Sequence, residues 1–344
     1  VDLYRATGEA RYLDLARFFI EWRGSRYGDG QRSSWGPVSG GSDQTQNWRP
    51  LKKETEVVGH AVFFTYLYAG ATDAYLESGD EELMSALGRV WDDLTEHKMY
   101  VTGGVSPVHK GLSVRELRPG HFDFIEGDPV HEGVGAPYAL PNDTAYNETC
   151  GQIGNVMWNW RMLLATGEAR FADLMERSIY NSVLSGVSLE GDKWTYTNPL
   201  RWHGLEDHLL YGHDEHERFE PGKTRICCPT NLLRTTLAWH NVLYTTDASG
   251  VWVHQYGGNA LDTTLEDGRR VRLRQETLYP WEGRVRMTVE ASEGEAPFSL
   301  HLRVPEWARD AAVTINEEPV TVPVTPGAYA GLDRVWTKGD VVDL

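Results

Sequence analysis

Ala6-Thr7-Gly8-Glu9-Ala10-Arg11 returns unchanged as Ala165-Thr166-Gly167-Glu168-Ala169-Arg170, and this repeat sets the fold of the first two thirds of the chain. Each copy follows a helical tail, Leu3-Tyr4 in one case and Met162-Leu163-Leu164 in the other. Each precedes an amphipathic run: Tyr12, Leu13, Leu15, Ala16, Phe19 and Ile20, then Phe171, Leu174, Met175, Ile179 and Tyr180. Spacings of three and four put these side chains on one helical face. The glycine stops the first helix and the residues after it start the second. Leu76-Glu77-Ser78-Gly79-Asp80-Glu81-Glu82-Leu83 is a looser third copy, between helices expected near 56–77 and 81–96. The unit is a helix–tight turn–helix hairpin. Repeated hairpins bury their apolar faces in an open solenoid or a closed toroid. The toroid is preferred, because it gathers its loops around a pocket, and long polar loops of the functional kind are expected at 28–50, 103–143 and 200–225.

The pattern changes near residue 248. Val251-Trp252-Val253-His254-Gln255-Tyr256 alternates, as do Val271-Arg272-Leu273-Arg274, Val285-Arg286-Met287-Thr288-Val289 and Phe298-Ser299-Leu300-His301-Leu302-Arg303-Val304. Period two broken by Gly, Pro and Asp predicts short antiparallel strands in a sandwich. The expected domains are residues 1–247, helical, and 248–344, a β-sandwich. Val1 is not an initiator Met, and Val341-Val342-Asp343-Leu344 ends inside an expected strand, so truncation is expected at both ends.

The 344 residues carry a formal charge of −17, which argues against a nucleic-acid partner, since phosphate binding needs basic stripes. No apolar run has the length of a membrane span. Three cysteines, two of them adjacent, make no disulfide framework; reduced thiols suit the cytoplasm. There is no P-loop, dinucleotide fingerprint, Gly-x-Ser-x-Gly elbow or His-Glu-x-x-His. Gly40-Gly41 is a flexible-loop signal without a phosphate cradle.

The cysteines fall in two short clusters, Glu148-Thr149-Cys150 and Cys227-Cys228-Pro229. Three thiols and a carboxylate form a credible four-ligand set for zinc. Helices are expected over 152–164 and 231–244, so both clusters lie at helix starts, where the positive dipole end favours thiolates. Buried packing cysteines and a purely structural zinc are alternative accounts. In a third account, the adjacent pair supplies one ligand and one reactive sulfur. Glu132, in His131-Glu132-Gly133-Val134-Gly135, is either a surface-loop carboxylate or, beside a nucleophilic thiol, a general acid/base. His60, in Val57-Val58-Gly59-His60-Ala61, is either a satisfied core histidine or a side chain projecting into a central pocket. Tyr196 could stack on or hydrogen-bond a sugar, or be an ordinary half-buried tyrosine. For Glu176, with Arg170 and Arg177 nearby in sequence, a structural ion pair is the default.

Leu140-Pro141-Asn142-Asp143-Thr144-Ala145-Tyr146-Asn147-Glu148-Thr149-Cys150, then Tyr180-Asn181-Ser182-Val183-Leu184-Ser185-Gly186, then Cys227-Cys228-Pro229-Thr230-Asn231 resemble glycoside hydrolase family 127 and the related family 146. Leu302-Arg303-Val304-Pro305-Glu306-Trp307-Ala308 and Trp336-Thr337-Lys338-Gly339-Asp340 resemble that family's sandwich strands. The resemblance implies an (α/α)6-barrel portion, truncated at its N-terminus, followed by an antiparallel β-sandwich. It implies a retaining hydrolase of β-L-arabinofuranosides or a related plant-glycan sugar. Glu148, Cys150, Cys227 and Cys228 would bind Zn2+, Cys227 would also be the nucleophile and Glu132 the acid/base. His60, Tyr196 and Glu176 would contact substrate. The implied partner is an oligosaccharide or glycoprotein glycan, and a homodimer through the β domain fits the same picture. Two features depart from the family pattern: a longer stretch at 106–131, and His131-Glu132 in place of Gly-Glu. Competing classes are a non-catalytic carbohydrate-binding protein with a structural zinc site, and an epimerase or lyase on the same toroid, which would leave the thiols unexplained.

Overall fold

The computed structural model describes residues 1–25, 44–47, 49–112, 129–142, 145–201, 218–219, 227–292, 294 and 296–344. Much of the three expected loops, together with Gly40-Gly41, lies outside these residues. The chain divides into two compact units. The first contains residues 1–166 and 177–235, and the second contains 167–176 and 236–344.

The first unit is rich in helix: α1 (Asp2–Thr7), α2 (Ala10–Trp22), α3 (Ala61–Ser78), α4 (Glu81–Asp93), α5 (Thr149–Thr166), and α7 (Cys227–Ala238), the last reaching its boundary. Between α5 and α7 in the chain comes α6 (Ala169–Ser178), most of which belongs to the second unit. Gly8, Gly79 and Gly167 have φ of 71°, 65° and 71°, so all three hairpin glycines take the left-handed conformation that ends a helix. Asp80 then caps α4 by accepting from the Leu83 N–H at 3.2 Å.

The strongest packing is between α3 and α5. Gly151 lies against Ala61, Gly154 against Thr65, the Trp158 ring against Tyr68 and Met162 against Thr72. Residue numbers rise together on both sides, so the two helices run parallel and start at the same end. Glycine is required at 154, where an added Cβ would sit 2.1 Å from Thr65 Oγ1. Phe64, Tyr68 and Trp158 are fully buried there, each worth about 1.5–3 kcal/mol of apolar burial. Helix α7 joins them with the same polarity: Asn231 meets Cys150, and Arg234 meets Met157.

Helix α3 begins at 61, not near 56. Val57 and Val58 are buried but lie outside the helix, pinned by the Val57 N–H donating to Asp93 Oδ2 and its carbonyl accepting from Lys98 Nζ, both at 2.8 Å. Gly59, with φ 83°, then enters β1 (Gly59–His60). Strand β1 pairs antiparallel with β3 (Pro129–Val134), which pairs antiparallel with β2 (Val108–Leu112). Glu132 therefore stands on a strand rather than in a loop, because the 103–143 stretch contains this strand pair. Two short strands, β4 (Trp194–Thr195) and β5 (Arg218–Phe219), pair antiparallel. Helix α7 starts at Cys227, four residues before the expected start, because Pro229 is tolerated in a first turn. It ends before 244 because β6 (Tyr244–Asp247) pairs with β7 (Gly250–Val253).

The second unit is mainly β: β6, β7, β8 (Asn259–Thr264), β9 (Arg270–Thr277), β10 (Val285–Ser292), β11 (Phe298–Val304), β12 (Thr314–Ile315), β13 (Glu318–Pro319), β14 (Ala328–Arg334) and β15 (Val341–Asp343). They form a four-stranded sheet, β14-β11-β7-β6, and a six-stranded sheet, β13-β12-β15-β10-β9-β8. Only the β7–β11 pair, among the described pairings, is parallel. One apolar cluster takes Val251, Val253, Leu300 and Leu302 from the first sheet and Leu273, Met287, Val289 and Val342 from the second. Arg303 is fully buried in this unit and donates to Asp173, Glu176 and the His254 carbonyl. Among the described residues no helix is long and apolar enough to cross a membrane.

Candidate active site

The common polarity of α3, α5 and α7 brings three helix starts together. His60 caps α3, Glu148 and Cys150 flank the start of α5, and Cys227 and Cys228 open α7. The ligand atoms of Glu148, Cys150, Cys227 and Cys228 all lie within 4.8 Å of one another. Cys150 Sγ is 3.5 Å from Cys228 Sγ, Cys227 Sγ is 3.8 Å from Cys228 Sγ, and Cys227 Sγ is 4.0 Å from Glu148 Oε1. A tetrahedral zinc with Zn–S bonds of ~2.3 Å has ligand–ligand edges of about 3.8 Å. The four donors thus have the spacing of a tetrahedral set, and all three cysteines are free thiols. Glu148 Oε2 is buried with no hydrogen-bond partner, an orphaned acceptor of the kind a cation satisfies. On these observations the residues fit the ion.

The four groups compete for negative charge. Hydrogen bonds from Cys150 and Cys228 push the Cys227 thiol far down. The same bonds push Cys150 and Cys228 up, with burial adding to both. Burial pushes Glu148 well up, and the charges of Glu132 and Cys227 reinforce it. Cys227 is also the exposed sulfur of the three; Cys150 and Cys228 are buried. The most readily ionised thiol is the exposed one.

Glu132 stands beside this cluster. Its carboxylate shares a second group with His60 and Glu148, again with all ligand atoms within 4.8 Å. Antiparallel pairing of His60 with Gly133 sets the contact. His60 Nε2 lies 2.9 Å from Glu132 Oε2, and the Tyr146 hydroxyl donates to Oε1 at 2.9 Å. The Val62 N–H donates to His60 Nδ1 at 3.1 Å, so a neutral His60 carries its proton on Nε2 and donates it to Glu132. Glu132 has φ 53° and Asn147 φ 43°, both in the left-handed region that costs non-glycine residues energy and that clusters at working sites.

Tyr196 belongs to the same place. Its carbonyl accepts from the Thr149 N–H at 3.0 Å, and its ring packs edge-on to Tyr146 at 6.0 Å. Tyr196 lowers the pKa of both Glu148 and Cys227, and its own pKa is raised, first by burial and then by the charge of Glu148. Glu176 is a different case. It lies in the second unit, where Oε2 accepts from Arg303 and Oε1 accepts from Trp307 Nε1 at 3.1 Å. Both oxygens are engaged within that unit, and the described contacts of Glu176 are structural ones. The ion-pair default holds, with a cation from β11 in place of the neighbouring arginines. Tyr146 and Asn231 were not singled out in the sequence. Both lie inside the quoted motifs, four residues from a cysteine or nearer to Glu148, and that proximity was the available signal.

The sequence matches the GH127 catalytic domain of beta-L-arabinofuranosidase over residues 1–241 and the GH127 middle domain over 250–344. A curated relative, the non-reducing end beta-L-arabinofuranosidase of Bifidobacterium longum subsp. longum, is 28% identical over 99% of this chain and 50% of its own length. A solved structure described as a glycoside hydrolase has 41% identity and a TM-score of 0.88, covering 99% of this chain and 53% of that one. A GH127 beta-L-arabinofuranosidase from Geobacillus stearothermophilus T6 has 34% identity and a TM-score of 0.83, covering 99% of this chain and 52% of that one. The chain spans about half the length of these relatives. With one family's two domain models covering nearly every residue, the chain belongs to glycoside hydrolase family 127.

Proposed function

We propose that this chain carries the catalytic centre of a retaining glycoside hydrolase acting on β-L-arabinofuranosides, with Cys227 as nucleophile and Glu132 as acid/base. The observation that carries this is the convergence of three thiols and Glu148 within 4.8 Å, with Glu132 packed against the same carboxylate. Glu132 protonates the glycosidic oxygen as Cys227 Sγ attacks the anomeric carbon. The C–O bond breaks, the aglycone leaves as an alcohol, and a glycosyl-thioether forms. Glu132, now ionised, takes a proton from water, which displaces the sulfur and restores the configuration. His60 and Tyr146 hold the Glu132 carboxylate in position for both steps. Tyr196, packed edge-on to Tyr146, lines the place of the sugar with His60. Glu148, Cys150, Cys227 and Cys228 would hold a zinc ion, which supplies the positive charge that keeps the sulfurs deprotonated and fixed.

The wider architecture we propose is a portion of an (α/α)6 barrel over 1–247 and a β-sandwich over 248–344. The shared polarity of α3, α5 and α7 supports the barrel, since inner helices of a toroid run alike. The apolar cluster common to two sheets supports the sandwich. The test is hydrolysis of an aryl β-L-arabinofuranoside, with zinc content measured on the same sample. Cys227→Ser is expected to lower turnover on the order of 10³-fold or more. Glu132→Gln is expected to lower it by roughly 10²–10⁴-fold. Full activity of Cys227→Ser overturns the mechanism.

A further inference from the structure

We infer that Asn231 is a positioning residue of the metal centre, its side-chain amide holding the Cys150 sulfur as a fixed ligand while Cys227 is left as the sulfur free to react; this rests on the zinc–cysteine reading above. Asn231 lies on α7 three and four residues after Cys228 and Cys227, on the same helical face. Its Nδ2 donates to Cys150 Sγ at 3.0 Å. The orientation of the amide follows from what the other end touches. Oδ1 accepts from the Tyr66 hydroxyl at 3.0 Å and from Arg234 Nη2 at 2.5 Å. A guanidinium can only donate, so the carbonyl oxygen must face Arg234 and the NH2 group must face the sulfur.

The triangle is tied again by Arg234 Nη2 donating to the Tyr66 oxygen at 2.6 Å. It joins α3, through Tyr66, to α7, through Asn231 and Arg234, and closes on α5 at Cys150. This contact sets the sulfurs apart. Cys150 is buried and receives an amide N–H, Cys228 is buried between the other two, and Cys227 is exposed. An N–H···S bond draws charge from the sulfur that receives it and fixes its direction, as outer hydrogen-bond partners of metal ligands do.

The experiment uses the metal-depleted chain titrated with Zn2+ against a chromophoric chelator, and the Co2+-loaded chain read by its thiolate-to-metal absorption. Folding is checked by circular dichroism. Asn231→Ala is expected to weaken zinc affinity by roughly 10-fold or more and to change the Co2+ band. Tyr66→Phe keeps the volume but removes one donor to Oδ1, and is expected to shift the band in the same direction by less. The inference is overturned if Tyr66→Phe and a folded Asn231→Ala both bind Zn2+ within twofold of the unaltered chain and show an unchanged Co2+ band. If the unaltered chain itself takes up no Zn2+, the zinc reading fails first and carries this inference down with it.

Discussion

Glu132 occupies a backbone conformation that glycine adopts freely and other residues do not, with φ 53°. Its neighbours hold it there: Gly133 pairs with His60 of β1 and Val108 of β2, and His131 pairs with Lys110 of β2, while Glu132 itself falls between these registered pairs. Glu132→Gly should therefore be more stable than Glu132→Ala by about 1 kcal/mol, read by denaturant midpoints, although both are expected to be inactive. Equal stabilities would remove the strain argument. At this scale the sequence was legible where the chemistry is rare: adjacent cysteines with a Glu-x-Cys partner are seldom mere packing. Tyr146 and Asn231 were not legible. A tyrosine or asparagine acquires such a role only through what the fold places against it. Glu176 shows the reverse, since its partner Arg303 lies 127 residues away and no local pattern announces it.

Among the elements, the parallel α3–α5 pair positions the site. Replacing Gly154 by Ala puts a methyl group 2.1 Å from Thr65 Oγ1 and 2.8 Å from its Cβ. The cost is expected to be about 1–3 kcal/mol in chemical denaturation, because the helices must part or Thr65 must turn. A midpoint equal to that of the unaltered chain would show the contact to be soft. Periodicity revealed these helices, yet not their ends. Val57 and Val58 are apolar enough to read as helix, yet their backbone groups are bonded by side chains distant in sequence, Asp93 and Lys98 at Val57 and Gln46 at Val58. Glu54, just before them, is buried under the Tyr68 hydroxyl at 2.7 Å, and burial lifts its pKa to about 8. The unfolded chain releases this proton near pH 4.5 while the folded chain retains it until about pH 8. Stability from this group is thus fully present below pH 4.5 and falls as pH rises towards 8, by a few kcal/mol in all. Glu54→Gln should flatten the slope of unfolding free energy across that window.

For the whole molecule, one buried group in the second unit responds to pH in the sense opposite to Glu54. In the second unit, His254 is buried between Thr245 Oγ1 at 2.8 Å and the Tyr329 hydroxyl at 2.6 Å. Burial first, and the Arg303 charge next, lower its pKa to about 3. Between pH 6.5 and about 3 the unfolded chain binds a proton that the folded one refuses, so stability drops as pH falls through this range. His254→Gln should remove that drop in urea titrations at pH 4 to 7; an unchanged pH slope would count against it. Arg303→Met would leave Asp173 and Glu176 buried without their cation, at an expected cost of about 3–5 kcal/mol. A loss below about 1 kcal/mol in the same titration would mean that the carboxylates relax into water. Strand alternation made the β region readable from its own sequence. The ten residues 167–176 that cluster with it were not readable there, because they look like one more hairpin helix.

That borrowed helix has a consequence for recombining related enzymes. A chimera spliced at the compositional boundary would pair the arginine of one parent with the carboxylates of another. Donor pieces would need to be exchanged at two places, with the short helical passage travelling alongside the strands that depend on it.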